Sequence, residues 1–365
     1  MEEKLRFLSL DILRGLTIIF MIIVNDPGSW AHVYPILLHA SWNGITPTDY
    51  VFPMFLFIVG ASIALSMENQ KERLSRSALV QKVLWRSLKI YVVGIFLWLW
   101  PAFDFDRIRW VGVLPRIAIV YGICALLYLF TSQRMQLKII IGVLVGYTIL
   151  MVYVPIPGIG LPDLSVPEKN WANYLDSLII PGHMWKGTWD PEGFLSTFPA
   201  IVTGLLGIRA GTILQKNHPS HQDKLVQLFL LGSLLLFFGD MSQYLFPLNK
   251  SIWSSSFALV TSGISCLGLA VSIYFCDVKG WGHRFQVPQA FGTNAIFSYV
   301  LANLLYLFIY SDRLWGIGLD ELYMQYLDFG LFSKKFLSLS YALLYVVLIW
   351  IPTQYLFRRK IYIKL

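Results

Sequence analysis

Charge is scarce in this chain: only 14% of its 365 residues are Asp, Glu, Lys or Arg, against 56% hydrophobic. A soluble domain carries about a quarter charged residues, so the shortage excludes an ordinary globular protein. Mean hydropathy is +0.60, as expected of an integral membrane protein. Cysteine is scarce too. Cys124, Cys266 and Cys276 stand in or beside apolar segments without metal-ligand spacing, which excludes a disulfide framework and reads as buried small hydrophobes. There is no HExxH, no GxSxG, no Gly-rich nucleotide loop and no internal repeat. Metal, serine-hydrolase and nucleotide-loop chemistry therefore have no motif, and we expect no metal.

What is present is a series of apolar segments of membrane-spanning length. Ten are expected, near 8–27, 48–67, 84–101, 112–131, 136–154, 194–215, 225–242, 253–276, 288–310 and 336–357. The fold class is an all-α integral membrane protein with about ten transmembrane helices, read as one polytopic domain over 1–365. Met1 to Arg6 precedes the first segment, but no small-x-small cleavage pattern follows, so a retained helix is expected. Gly112, and Gly142 with Gly146, have small-residue spacing that suits helix packing.

Assigning alternate loops to each side puts 19 of the 29 basic residues on one face: Lys4, Arg6, the run from Lys71 to Lys89, Arg134, Lys138, Arg209, Lys216, Lys224, Lys279, Arg284, Arg358 to Lys360, and Lys364. The positive-inside rule then makes both termini cytoplasmic. The net charge of +8 belongs to these loops, and no nucleic-acid partner is expected. Two outer loops, 155–193 and 310–335, are long enough to serve as lids or binding loops.

Some polar residues must be costly near a bilayer. His39-Ala-Ser-Trp-Asn-Gly44, with Asn25 before it and Asp49 after it, lies between the first two spans and contains no lysine or arginine. A histidine there is a candidate acid, base or nucleophile, and Asp49 can orient its ring. Asn25 can equally serve the Asn-Asp-Pro-Gly turn that ends the helix. Asp11 and Arg14, three apart, share one face of the first helix, either as a neutralised pair or as an anion site. Arg116 needs an anion, which Asp190 and Glu192 could supply, although both could also cap the next helix. Asn249, Lys250 and Asn294 mark polar interruptions at span ends. His218 and His221 fall in a charged loop and are expected to be solvated.

At these residues the chain resembles the heparan-α-glucosaminide N-acetyltransferase family. The resemblance runs through Leu10-Asp11-Ile12-Leu13-Arg14-Gly15, Val24-Asn25, His39 to Gly44, Asp49 and Val51 to Phe55. It continues at Gly112 to Arg116, Asp190 to Gly193, Asn249 to Ser254, Asp277 to Gly280, Gly292 to Asn294 and Arg358 to Ile361. It implies acetyl transfer from cytoplasmic acetyl-CoA to the amino group of a terminal glucosamine across the membrane. The family's active-site histidine falls on His39 and its functional asparagine on Asn25. The lysosomal members carry an additional luminal region and span before this point, so the chain looks like a compact bacterial form of an inner membrane, facing the periplasm. Its acceptor is then expected to be a free or oligomeric amino sugar.

The implied site has His39, Asn25 and Asp49 as catalytic residues. Acceptor contacts are expected from Trp42, Asn43, Arg116, Asp190, Glu192, Asn249, Lys250 and Asn294. By charge and depth, Arg14, Arg86, Lys89, Arg284 and Arg358 are candidates for the phosphates of acetyl-CoA. His39 is either the general base or the acetyl carrier. Trp171, Trp185 and Trp189 could stack on sugar rings or anchor at the interface. Partners are acetyl-CoA, an amino sugar and the bilayer, with a homodimer allowed. Two other readings are a secondary transporter of amino sugars, which predicts broken helices in two related halves, and an O-acetyltransferase of a surface glycan.

Overall fold

A computed structural model describes residues 8–215, 220–310, 316–328 and 330–363. Lys4, Arg6, Lys216, His218 and Lys364 lie outside them, as does the side chain of His221. The regular secondary structure of the described residues is helical, without a β-strand. In chain order the helices are α1 (Leu8–Asn25), α2 (Val51–Lys71), α3 (Arg76–Leu99), α4 (Val113–Phe130), α5 (Gln133–Tyr153), α6 (Trp171–Ile179), α7 (Thr197–Gln215), α8 (His221–Ser242), α9 (Ser255–Ile273), α10 (Gln286–Thr293), α11 (Ala295–Ile309), α12 (Leu319–Tyr326) and α13 (Lys334–Arg358). Serines begin several of them: the hydroxyls of Ser75, Ser132 and Ser333 accept from the backbone N–H groups of Ala78, Met135 and Phe336.

All ten expected segments are helical. Eight described helices are long and apolar enough to cross a membrane, and the α10–α11 pair makes a ninth. The segment expected at 84–101 is the second half of α3. Its 24 residues suffice in length, but Lys82, Arg86 and Lys89 make it less apolar than the rest. The segment expected at 288–310 is broken: α10 and α11 meet at 85° around Asn294. The two long loops also carry structure, with α6 in one and α12 in the other.

The chain divides into two compact units, Met1–His39 with Thr46–Val51 and Val271–Leu365, and Ala40–Ile45 with Phe52–Ala270. In the first, α1 and α10 touch backbone to backbone. A Cβ on Gly15 would overlap the carbonyl of Pro288, and one on Gly292 would overlap the carbonyl of Asp11. Because α10 stops at Thr293, carbonyls of its last turn lack helical partners. Arg14 Nη1 takes one, donating to Gly292 O at 3.1 Å while it pairs with Asp11 Oδ1 at 2.9 Å. Asn294 closes the break. Fully buried, it donates to Ile361 O at 3.2 Å and accepts from Ile363 N at 3.0 Å.

In the second unit, α2 and α7 approach along Gly60, Ala61, Gly204, Gly207 and Gly211. A Cβ on Gly60 would strike Gly204 O, and one on Gly207 would strike Phe57 O. Gly204 also faces Val120 and Cys124 of α4. Lipid supplies no hydrophobic drive between helices, so close backbone contact does that work. The expectation for Gly142 and Gly146 is corrected, because nothing lies within 4 Å of a Cβ at either. Gly112 is a turn residue, with φ +141° just before α4. All three cysteines are buried.

This arrangement predicts a contrast. Gly207→Ala should destabilise the detergent-purified protein by about 1–3 kcal/mol through overpacking. Gly142→Ala should be neutral or stabilising by up to about 1 kcal/mol through helix propensity. Thermal unfolding of the two variants checks it, and equal shifts would contradict the packing described.

Candidate active site

Asp49 is the third residue of a short turn, Pro47–Tyr50, that leads into α2, and its side chain is wholly buried. The turn packs against α1. Thr46 caps it: its N–H donates to Asp49 Oδ2 at 2.9 Å, and its Oγ1 lies 3.1 Å from the same oxygen and 2.7 Å from Leu38 O. The residue preceding His39 is thereby tied to the residue capping Asp49. The remaining carboxylate oxygen, Oδ1, meets His39 Nδ1 at 2.6 Å. In the neutral ring this bond places the proton on Nδ1 and the lone pair on Nε2, the tautomer a general base requires. The imidazole is 44% exposed while its carboxylate is sealed, so an incoming molecule meets the ring and not the anion. Asn25 is the last residue of α1, with its side chain exposed.

Ala40 to Gly44 belong to the second unit and bond to its loops. Trp42 Nε1 and Asn43 Nδ2 both donate to Leu164 O, at 2.8 and 3.0 Å. Asn43 Oδ1 accepts from Asn249 Nδ2 at 3.0 Å, and Gly44 N donates to Leu248 O. Buried Asn249 also accepts from Ile252 N, shaping the turn in which partly buried Lys250 sits. That turn ends at Trp253, held at φ +49° by contacts to Phe52, Phe257, Thr203 and the Arg116 guanidinium 5.2 Å from its ring.

Asp190 and Glu192 do not hydrogen-bond Arg116. Their partner is Arg109, which grips Asp190 with two bonds of 2.7 and 2.6 Å and Glu192 with one of 2.6 Å. Burial opposes the Arg109 charge, but the two carboxylates outweigh it and hold its pKa above the usual value. Burial likewise opposes the Asp190 charge, yet Arg109 and the N–H groups of Trp185 and Glu192 hold that pKa below the carboxylate range. Arg116, 1% exposed, donates instead to Gly193 O at 3.0 Å and Ser196 Oγ at 2.5 Å. Sequence reasoning missed Asp176. Its carboxylate accepts from Phe194 N and Asp190 N, and it occupies the space a Cβ on Gly193 would need. Burial pushes it up to about 6, against the pull of those N–H groups. Arg109 and Asp176 carried only weak signals, a basic residue beside Trp110 and an acid on the polar side of a short amphipathic helix.

Among the loop tryptophans, Trp189 is buried edge-on against Trp42, which removes it from sugar stacking. Trp171 Nε1 donates to Val154 O. Trp185 is exposed, with Arg109 over its ring. The cations expected near acetyl-CoA each have local neighbours of their own. Arg86 and Arg284 are exposed over Tyr121 and Trp281, Lys89 lies near Trp85, and Arg358 is exposed at the end of α13. Arg14 is already engaged with Asp11 and Gly292.

Residues 6–248 match the family profile described as heparan-alpha-glucosaminide N-acetyltransferase, catalytic. The human heparan-alpha-glucosaminide N-acetyltransferase is 30% identical over 355 aligned residues, covering 81% of this chain and 52% of the human protein. The mouse protein of that name is 30% identical over 352, covering 81% and 53%. The chain thus spans about half the length of these curated relatives.

The Arg109 cluster yields a stability prediction. Arg109→Ala leaves buried Asp190 uncompensated and should cost about 3–5 kcal/mol near neutral pH. The loss should shrink at acid pH, where the carboxylates protonate. Unfolding midpoints across pH measure it, and a pH-independent deficit would show that lost packing is the cause.

Proposed function

Because the chain belongs to the heparan-alpha-glucosaminide N-acetyltransferase family, we propose that it is a transmembrane acetyltransferase. In this reading the acetyl group of cytoplasmic acetyl-CoA passes to the amino group of a glucosamine-type sugar on the extracytoplasmic side. The observation that carries it is the His39–Asp49 pair at 2.6 Å, inside the segment matched by the family's catalytic profile. A ring held through Nδ1 by a buried carboxylate is an oriented base.

The attacking amine must lose a proton as its nitrogen bonds to the thioester carbonyl carbon. His39 Nε2 takes that proton, and Asp49 stabilises the imidazolium that forms. The tetrahedral oxyanion needs a donor, a role assigned to the amide of Asn25 and worth about 3 kcal/mol in comparable sites. Collapse expels CoA as the thiolate, which recovers a proton from the imidazolium. In the alternative sequence His39 attacks first, an acetyl-imidazole forms and the thiolate leaves, and the amine then displaces the imidazole. Alternate assignment of the loops along the sequence puts 19 of the 29 basic residues on the side opposite the His39 loop, which supports a cytoplasmic donor and cytoplasmic termini. Some of Arg14, Arg86, Lys89, Arg284 and Arg358 would face the CoA phosphates. Of the acceptor contacts expected, the ring face of Trp42 and the Lys250 side chain are kept, whereas both ends of the Asn43 amide are bonded, to Leu164 O and Asn249 Nδ2. Arg116, Asp190, Glu192, Asn249 and Asn294 act by holding the surrounding loops and helix ends, since their polar atoms are committed there.

Purified full-length protein given acetyl-CoA and a panel of amino sugars should form N-acetylated product. His39→Ala should lower kcat by about 10²–10⁴-fold, and Asp49→Asn should lower kcat with KM for acetyl-CoA little changed. Absence of product from every amino sugar would overturn the reading. Rapid-quench labelling without acceptor separates the two routes: an acetylated His39 means relay, and an unlabelled protein means direct transfer.

A further inference from the structure

The reaction as drawn leaves one cluster of the first unit unused. After α1 the chain turns through Asp26-Pro27-Gly28-Ser29 and docks on the start of α13. Gly28 N donates to Ser338 O at 3.1 Å, Ser29 N to Ser338 Oγ at 3.0 Å, and Tyr310 Oη to Asp26 O at 2.7 Å. Five tyrosines form a chain of rings here. Tyr306 stacks on Tyr310 at 5.0 Å, Tyr310 meets Tyr341 and Tyr345 edge-on at 5.7 and 5.9 Å, and Tyr323 meets Tyr341 at 5.2 Å.

Two carboxylates share this cluster. Asp26 lies deep among its neighbours yet keeps part of its surface open, and no hydrogen-bond donor reaches its carboxylate among the described residues. Asp320 Oδ1 is buried and likewise without a partner among them. Besides the backbone N–H groups of Asp320 and Glu321, which act on the Asp320 carboxylate, the groups acting on these two acids are Tyr306, Tyr310, Tyr341, Tyr345 and Glu321, with no cation among those described. Lys334, on the first turn of α13, pairs with Asp328. Several tyrosine protons are already given away, from Tyr310 to Asp26 O, from Tyr345 to Ala302 O and from Tyr341 to Ile309 O. What remains to a visitor is lone pairs, ring faces and carboxylate oxygens, all of which attract positive charge.

Building on the acetyltransferase reading, we propose that this tyrosine cluster binds the protonated amino group of the acceptor, with Asp26 as its counter-ion and the rings as a cage. The position suits the task, because Asp26 directly follows Asn25. Burial raises the Asp26 carboxyl to about 8 and also raises Asp320; an ammonium in the cage favours the ionised form, and handing one proton back to Asp26 frees the neutral amine that attack requires. The cage also discriminates substrate from product. Glucosamine enters as a cation, whereas the acetylated amide is neutral and loses both the ion pair and the cation–π attraction.

Calorimetric binding to the full chain in detergent, without acetyl donor, tests this with glucosamine and N-acetylglucosamine as probes. Glucosamine should bind at least tenfold more tightly, Asp26→Asn should abolish the difference, and His39→Ala should preserve it. Tyr306→Leu, which removes a half-exposed cage wall, should weaken glucosamine severalfold and decides the matter if Asp26→Asn fails to fold. Equal affinity for both sugars, or discrimination unchanged in Asp26→Asn and Tyr306→Leu, overturns the cage. Acetyl transfer with binding indifferent to Asp26 would sink the cage and leave the enzyme standing; Asp26-dependent binding without product from any amine would do the reverse. A ligand-free readout runs in parallel. An aspartate titrates near 4 in an unfolded chain and Asp26 near 8 here, so the folded state holds the extra proton between those values. Stability should therefore fall as pH rises from about 4 to about 8, and Asp26→Asn should remove that component.

Discussion

Backbone polar groups within a helical membrane protein must find their partners inside the protein, because lipid offers none. This constraint organises the molecule around a few committed side chains. Asp49 is the clearest: sealed from solvent, it is met by the Thr46 cap on one oxygen and by His39 on the other. Asn294 satisfies a helix break with both ends of its amide, and Arg14 satisfies the carbonyl that the same break exposes. The imidazole is thus oriented by a carboxylate that solvent does not reach.

The loop between α5 and α7 does the same with charges. Arg109 takes the carboxylates of Asp190 and Glu192, while Asp176 takes the backbone N–H groups of Asp190 and Phe194. A loop that looks irregular in sequence is therefore pinned at both ends of its Trp-Asp-Pro-Glu-Gly segment. Arg116 reaches the same segment from below through Gly193 and Ser196.

Much of this was legible where it was local. Hydrophobic length found every span, and the ten-residue separation of His39 and Asp49 sufficed to suggest their pairing. Long-range partners were not legible. Arg109 and Asp190 stand 81 residues apart, and nothing in the composition of either segment favours Arg109 over Arg116 as the mate. The bend at Asn294 was hidden because the residues on both sides are apolar enough to continue one helix. Glycine spacing misled for a related reason. Gly142 and Gly146 have the spacing of a packing face, but what decides the matter is whether another backbone passes there, as it does at Gly204 and Gly207.

The pair formed by Asp11 and Arg14 bears on how the protein is made. Arg14 finds its distant partner, Gly292, only after 278 further residues have been synthesised. At roughly 5–20 residues per second, that delay is on the order of tens of seconds. Throughout it the first helix must reside in the bilayer carrying a full positive charge. Asp11, one turn away at 2.9 Å, neutralises that charge within the same helix from the moment of insertion. The ion pair is thus a companion supplied in cis, which lets α1 wait in lipid for α10.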